Sequence, residues 1–260
     1  MKESDFGAKA IALLSVMALV CSFLLGGSAW AASKQDKKDN DKKKDKKVFT
    51  TDFRIEECTW ANTGRNAYFS LNINDFLRLT DGQVVLDITV LDQEREVSFV
   101  TAKGVQLSVT TRVVEELERE NGSLIERSRN FFARCVQTND IHYFGEDVQP
   151  AAIGGAWLAG KDGAQPGVIM PGTFLLGSRY FQEIAPKVAL DRAEHVEMGL
   201  KVKTEAGTFN GCVRIVETTP LEPGESEKIY CPGVGLVFDN DLELVEFQIK
   251  KDKDNDNDDD

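Results

Sequence analysis

Two histidines, His142 and His195, occur in the 260 residues, and no two cysteines stand at C-x-x-C spacing. A zinc or other metal site therefore has little to be built from. There is no G-x-S-x-G elbow to present a nucleophilic serine, and no glycine-rich turn followed by the lysine and helix that a phosphate cradle needs. The strand-helix-strand alternation of parallel α/β folds is missing, as is any convincing long helical period. These gaps remove the common signatures of hydrolases, nucleotide enzymes and metalloproteins. No cofactor, metal or catalytic residue is expected from motif.

A net positive charge is also missing from the body of the chain, whose overall net charge is −12. Residues 34–47 hold eight Lys and four Asp, residues 250–260 hold three Lys and six Asp, and residues 1–31 sum to zero, which leaves −13 on residues 48–249. So acidic a body repels nucleic acid and anionic lipid, so neither is an expected partner. Residues 32–47 and 250–260 contain no large apolar side chain, and both read as disordered. The tail DKDNDNDDD lacks the glycine and terminal glutamate of a helix-flanked calcium loop.

One long apolar run is present. AIALLSVMALVCSFLLGG follows Lys2 and Lys9 and precedes the small residues Ala29 and Ala31, the order of a secretory signal peptide over residues 1–31. The alternative is an uncleaved anchor, because the run approaches the ~18 residues at which a spanning helix becomes plausible; that anchor is the only membrane contact expected. Lipid attachment at Cys21 is disfavoured by the bulky Val20 before it. The reading is an exported protein, periplasmic or extracellular, with residues 48–249 as one globular domain.

Within that domain the local signals are strands and tight turns. Asn121-Gly122 lies between two charged, branched runs, the strongest short hairpin signal. With those two residues as the turn, Glu116 faces Arg127 and Glu118 faces Ile125. Asp81-Gly82, Asn139-Asp140 and Asp239-Asn240 punctuate further runs, and Val84-Leu86-Ile88-Val90 and Val234-Leu236-Phe238 alternate as half-buried strands do. The expected fold is all-β, a mainly antiparallel meander curled into a barrel or half-barrel.

The domain holds four cysteines, Cys58, Cys135, Cys212 and Cys231. An even number in an exported chain points to two disulfides. A hairpin turning at Pro223-Gly224, with Thr218 facing Glu225, puts opposite residues at a sum of 443 and sets Cys212 across from Cys231. Cys58 and Cys135 are left as the second pair.

Residues 154–177, GGAWLAGKDGAQPGVIMPGTFLLG, combine seven glycines and two prolines with large apolar side chains. The expectation is an ordered loop laying its apolar groups over the open end of the sheet, with Trp157, Ile169, Met170, Phe174 and Tyr180 as candidate ligand contacts. A second cluster, Arg179, Glu183, Asp191, Arg192 and His195, sits on adjoining strands. Alternation places Asp191, His195 and Glu197 on one face and Arg192 and Glu194 on the other, which favours solvated ion pairs over acid-base chemistry. His142, with Asp140, Glu146 and Asp147 nearby in sequence, reads as a polar strand residue.

The segments ECTWANTGRNAYFSLN, SRNFFARCVQTNDIHYFGEDV and GTFNGCVRIVETTPLEPGESEKIYCPGVGLV resemble a family of uncharacterised exported bacterial β-rich proteins over nearly all of the domain. The resemblance implies export and a β fold, with no established activity. It implies that Cys58, Cys135 and Cys212 stand at family cysteine positions while Cys231 stands where a small residue such as alanine is expected, so that Cys58–Cys135 is the common bridge.

The functional expectation is a non-enzymatic envelope protein that binds a hydrophobic small molecule in a curved β trough. The alternative is a protein-contact or structural module with a filled core, its partner an envelope protein, and third stands a hydrolase using a carboxylate and a histidine. Cleavage after Ala31 is checked by the N-terminal sequence of the exported chain: Ala32 is expected first, and a chain that keeps residues 1–31 establishes the anchor instead.

Overall fold

The computed structural model describes residues 47–250. The leader at 1–31, and the charged linker and tail apart from Lys47 and Lys250, lie outside the described residues. In chain order the strands are β1 (Trp60–Ala61), β2 (Phe76–Thr80), β3 (Val84–Val100), β4 (Gln106–Glu120), β5 (Ser123–Cys135), β6 (Ile141–Gln149), β7 (Trp157–Leu158) and β8 (Gln165–Met170). Then follow β9 (Arg179–Phe181), β10 (Glu183–Ile184), β11 (Arg192–Thr204), β12 (Gly207–Thr218), β13 (Ser226–Cys231), β14 (Gly235–Asp239) and β15 (Leu242–Gln248). All pair antiparallel in a single sheet ordered β10-β8-β6-β5-β4-β3-β2-β15-β14-β13-β12-β11-β9, with β1 added to β5 and β7 to β6. Two meanders, β2 to β6 and β11 to β15, are thus joined where β15 lies beside β2.

The turns explain why the strands start where they do. Asp81 accepts the backbone N–H groups of Gln83 and Val84 at 2.8 and 2.7 Å, and Gly82 takes a φ of 94°, so the chain reverses into β3. Asn121 and Gly122 both occupy the left-handed region, φ 49° and 82°, as a two-residue hairpin requires. Just beyond that turn the expected register fails. Arg119 faces Leu124, but Glu118 faces Glu126 and Glu116 faces Ser128. Ile125 is the extra residue of a β-bulge, and the one-residue slip replaces the expected Glu116–Arg127 ion pair with two glutamates directly opposed. The hairpin at Pro223-Gly224 keeps its register: Val213 faces Tyr230 and Glu217 faces Ser226, and Cys212 is bonded to Cys231 with Cα atoms 4.1 Å apart. The second disulfide, Cys58–Cys135, ties the segment before β1 to the end of β5.

The sheet curls until its edges meet. β9 pairs with β11 at one edge and β10 with β8 at the other, yet β9 and β10 are parts of one stretch separated only by Gln182. Thr50 bonds along β9, accepting from Phe181 at 3.0 Å and donating to Arg179 at 2.9 Å, so that edge is covered too. Gly167 of β8 lies against this seam. A Cβ there would stand 2.4 Å from the carbonyl oxygens of both Phe181 and Gln182, so the close approach admits only glycine.

Inward positions run in register across the strands. Leu244, Leu79 and Leu86 lead to Glu118 and Glu126; Val90 and Val114 lead to Asn130, Glu146 and Trp157. The outward face of the same strands is charged: Arg78 bridges Glu246 at 3.1 Å and Asp87 at 2.7 Å, and Arg119 reaches Asp87 at 2.8 Å. A bilayer-spanning barrel carries an apolar band at such outward positions. Among the described residues no helix is long and apolar enough to cross a membrane.

Gly167→Ala forces a methyl into two carbonyl oxygens and is expected to cost about 3 kcal/mol, the upper end for overpacking. Urea unfolding measures it; a midpoint equal to wild type would show that the seam is not a tight contact.

Candidate functional site

The glycine-rich stretch does not form one loop over the sheet, and this corrects the sequence reading. Residues 157–158 are β7, residues 158–164 reverse the chain through Gly160 N–H to Ala164 O at 2.9 Å, and residues 165–170 are a strand in the body of the sheet. Its five candidate residues consequently part company. Ile169 lines an inner cavity. Met170 is fully buried, and its carbonyl accepts from Asn66 at 3.1 Å. Trp157 is buried edge-on to Tyr143, ring centres 5.1 Å apart. Phe174 and Tyr180 do come together, around His195.

His195 is buried, stacked flat on Phe174 at 3.8 Å, with Nε2 2.9 Å from the Tyr180 hydroxyl and Nδ1 3.2 Å from the Leu175 carbonyl. A carbonyl only accepts, so Nδ1 carries the proton and Nε2 accepts from tyrosine. Burial pulls this imidazole down to about 4, so it is neutral and structural. His142 is likewise held down to about 4 by burial, packed against Trp60 and Phe53 at centroid distances of 5.1 and 6.1 Å. Both histidines are fully enclosed. Among the described residues no group of three or more His, Cys, Asp or Glu is arranged to hold a metal ion.

The charged cluster also divides. Arg179 pairs with Glu194 at 2.7 Å beside Lys47, and Arg192 lies 4.6 Å over the ring of Phe49 and donates to Thr218 at 3.2 Å. Glu183 is buried and accepts the Asp191 backbone N–H at 2.6 Å. The expectation of solvated pairs fails for Glu183 and His195, which are buried, and the Glu194 side chain between Arg179 and Lys47 is itself only 15% exposed. The shared face assigned to Asp191, His195 and Glu197 fails as well. A bulge at Val196 turns Glu197 away from His195 to face Arg214, 3.0 Å distant.

Inside the barrel stands an unexpected group of acids. Glu118 and Glu126, opposed across β4 and β5, are 3% and 6% exposed; both oxygens of Glu118 and Oε2 of Glu126 have no hydrogen-bond partner. Burial, reinforced by Glu126, Asp239 and Glu116, pushes Glu118 up to about 8. Burial pushes Glu126 and Glu116 up to about 7, and Glu183 well above its ordinary range. A buried cation stands against the group: Lys228 lies 3.2 Å from Glu217 and 3.6 Å from Asp239, and these carboxylates hold its ammonium well above the usual range although burial acts to lower it. A carboxyl that keeps its proton avoids the cost of a buried charge, which is how so many acids share one interior.

Among the described residues, an inner cavity and an outer cleft touch this group. The inner cavity of about 70 Å³ has an apolar wall including Leu86, Ile88 and Phe132 and a polar end formed by Glu116, Lys228 and Asp239. The cleft of about 180 Å³ lies beside Trp157, with Glu146 and Asp147 of β6, Arg95 of β3, Lys161 and Asp162 of the turn after β7, and an apolar wall including Leu158, Pro186 and Val188. The sequence reading names Glu146 only as a neighbour of His142, sets Glu116 and Glu118 opposite Arg127 and Ile125 in a hairpin, and does not single out Glu126. Glu116 and Glu118 continue the i, i+2 spacing of Val114 along β4, and that is the signal that was available.

No protein-family model matches the chain, and no curated protein does. Among solved structures the chain is similar to a candidate lipoprotein from Parabacteroides distasonis, 14% identical, covering 72% of this chain and 100% of that one with a TM-score of 0.28. So low a score carries no argument about fold or function. The two disulfides fit a protein that matures in an oxidising compartment, and so an exported one.

A carboxyl whose folded pKa lies above its unfolded value binds more protons in the native state, so its stabilisation is complete below about 4.5 and is lost as pH rises through about 8. The two histidines, lowered from 6.5 to about 4, act oppositely and only below 6.5. Thermal stability is therefore expected to fall between pH 6.5 and 8.5, each such carboxyl contributing up to about 1.4 kcal/mol per pH unit. Glu118→Gln should flatten that decline; a melting temperature rising across this window sinks the account.

Proposed function

We propose that the chain is an exported, non-enzymatic binding module of the cell envelope, in which the barrel is a filled scaffold and recognition takes place on its outside. The observation that carries this reading is the interior itself. Sites for ligands of ordinary size enclose about 300–1,000 Å³. The inner cavity, at about 70 Å³, has room for about two waters at ~30 Å³ each. So small a cavity supports the filled-core alternative over the hydrophobic carrier.

The hydrolase reading loses its support in the same geometry. His195 spends its nitrogens on Tyr180 and Leu175, and His142 is enclosed by aromatic rings, so neither imidazole is placed to move a proton for a carboxyl group.

Native mass spectrometry of the mature chain tests the proposal. The expected result is a bare protein with two disulfides and the same mass before and after organic extraction. A hydrophobic adduct that extraction removes overturns it and restores the carrier.

A further inference from the structure

The large apolar side chains left exposed are not spread evenly. Of the twelve among the described residues, five stand at one pole of the domain: Val48, Leu175, Leu176, Val196 and Met198, from 37% to 82% exposed. Backbone bonds bring them together. Thr50 lies parallel to Tyr180 of β9, which sets Val48 beside the turn at residues 175–178. The Gly177 N–H donates to the His195 carbonyl at 2.9 Å and the His195 N–H to the Ser178 carbonyl at 3.0 Å, so that turn runs along β11 just where Val196 and Met198 follow. Phe174, stacked on His195, holds the turn from beneath. A contiguous apolar patch left exposed on a folded domain marks a contact site.

We propose that this patch docks on an anionic lipid surface, the Leu175-Leu176 turn entering the headgroup region and the lysines that precede the domain supplying the attraction. The place where the chain joins the domain decides the occupant. Lys47 is bound to Glu194 at the edge of the patch, and residues 34–47, which end there, hold eight Lys and four Asp. Lys47, Arg179 and Arg192 stand here against Glu194, while Glu197 is matched by Arg214. This pole is therefore basic although the body as a whole is acidic. The expectation that lipid is repelled follows from net charge, which does not govern here, because charges further away than about 8 Å are largely screened at physiological salt. Apolar insertion together with basic charge is what binding at a bilayer surface requires. Other occupants fit less well. Residues 32–46 contain no large apolar side chain to cover the patch. A second copy across a two-fold axis would bring two lysine-rich segments face to face. An added peptide strand needs a regular edge, and past Glu194 the edge of β11 is broken by bulges at Val196 and Gly199.

This inference rests on the reading that recognition takes place outside the barrel, but a hydrophobic adduct in the interior would sink that reading and leave vesicle binding untouched, so either can fail alone. The test is co-sedimentation of the chain from Ala32 with vesicles of phosphatidylcholine containing about one-third phosphatidylglycerol, and with vesicles of phosphatidylcholine alone. Binding to the mixed vesicles is expected to be about tenfold tighter than to the neutral ones, and to fall about as far when salt is raised to ~0.5 M. Leu175→Ser with Leu176→Ser is expected to weaken it about tenfold at an unchanged melting temperature, since both side chains are exposed in the folded domain. Replacing Lys42, Lys43 and Lys44 by Gln is expected to weaken binding to the mixed vesicles by about as much. Leu124→Ser, which alters an exposed leucine of β5 outside the patch, is expected to bind as wild type does. The proposal is overturned if the chain sediments with neither vesicle, if the neutral vesicles bind it as tightly, or if the leucine pair is replaced without effect. A dimer in solution that the leucine replacements abolish overturns it too, and gives the patch to a second copy.

Discussion

The barrel depends on a single backbone contact: the seam at which residues 179–184 pair with β11 by their first half and with β8 by their second. A curved sheet left open would expose two rows of unpaired N–H and C=O groups and would wet its concave face. Here one continuous stretch serves both edges, and Gly167 lets the strands approach until carbonyl oxygens occupy the place of a side chain. Closure removes water from everything the strands point inward.

That dehydration accounts for the electrostatics. Inward positions of β4, β5, β6 and β13 carry Glu116, Glu118, Glu126, Glu146 and Lys228, and in an open sheet these would be ordinary solvated charges. Enclosed, the acids keep protons to higher pH, and Lys228 is retained as an ion only because Glu217 and Asp239 flank it. The apolar half of the interior, built on Leu79, Leu86, Leu244 and Phe132, supplies the hydrophobic burial. Burying opposed carboxyls costs stability, and the fold tolerates this at neutral pH through protonation. On the outward face Arg78, Arg119 and Glu246 stay partly exposed around an Asp87 that its partners cover, and the exposed Arg78–Glu246 pair contributes modestly, as surface pairs do.

Much of the architecture was legible along the chain because it follows from short-range rules. Turns announce themselves through Asp-Gly and Asn-Gly, and the hairpin at Pro223-Gly224 could be counted outward to Cys212 facing Cys231, since no bulge intervenes in β12 and β13. The same counting went astray at Ile125 and at Val196, where one unpaired residue reverses the faces beyond it. Bulges are set by how a strand must bend to close the sheet, and nothing in a five-residue window of charged and branched residues marks them.

What the sequence by itself determined is therefore local: the strand class, the tight turns, the one-sided alternation that produces a core, and the even set of cysteines. Tertiary structure alone decided which glutamates are dry, that Ile169 and Met170 belong to a sheet strand, and that Trp157 meets Glu146 at a cleft. The physical reason is that desolvation is a property of the closed surface. A carboxylate reads identically in sequence whether water or Lys228 stands beside it, and its chemistry changes only when residues far apart in the chain shut the water out.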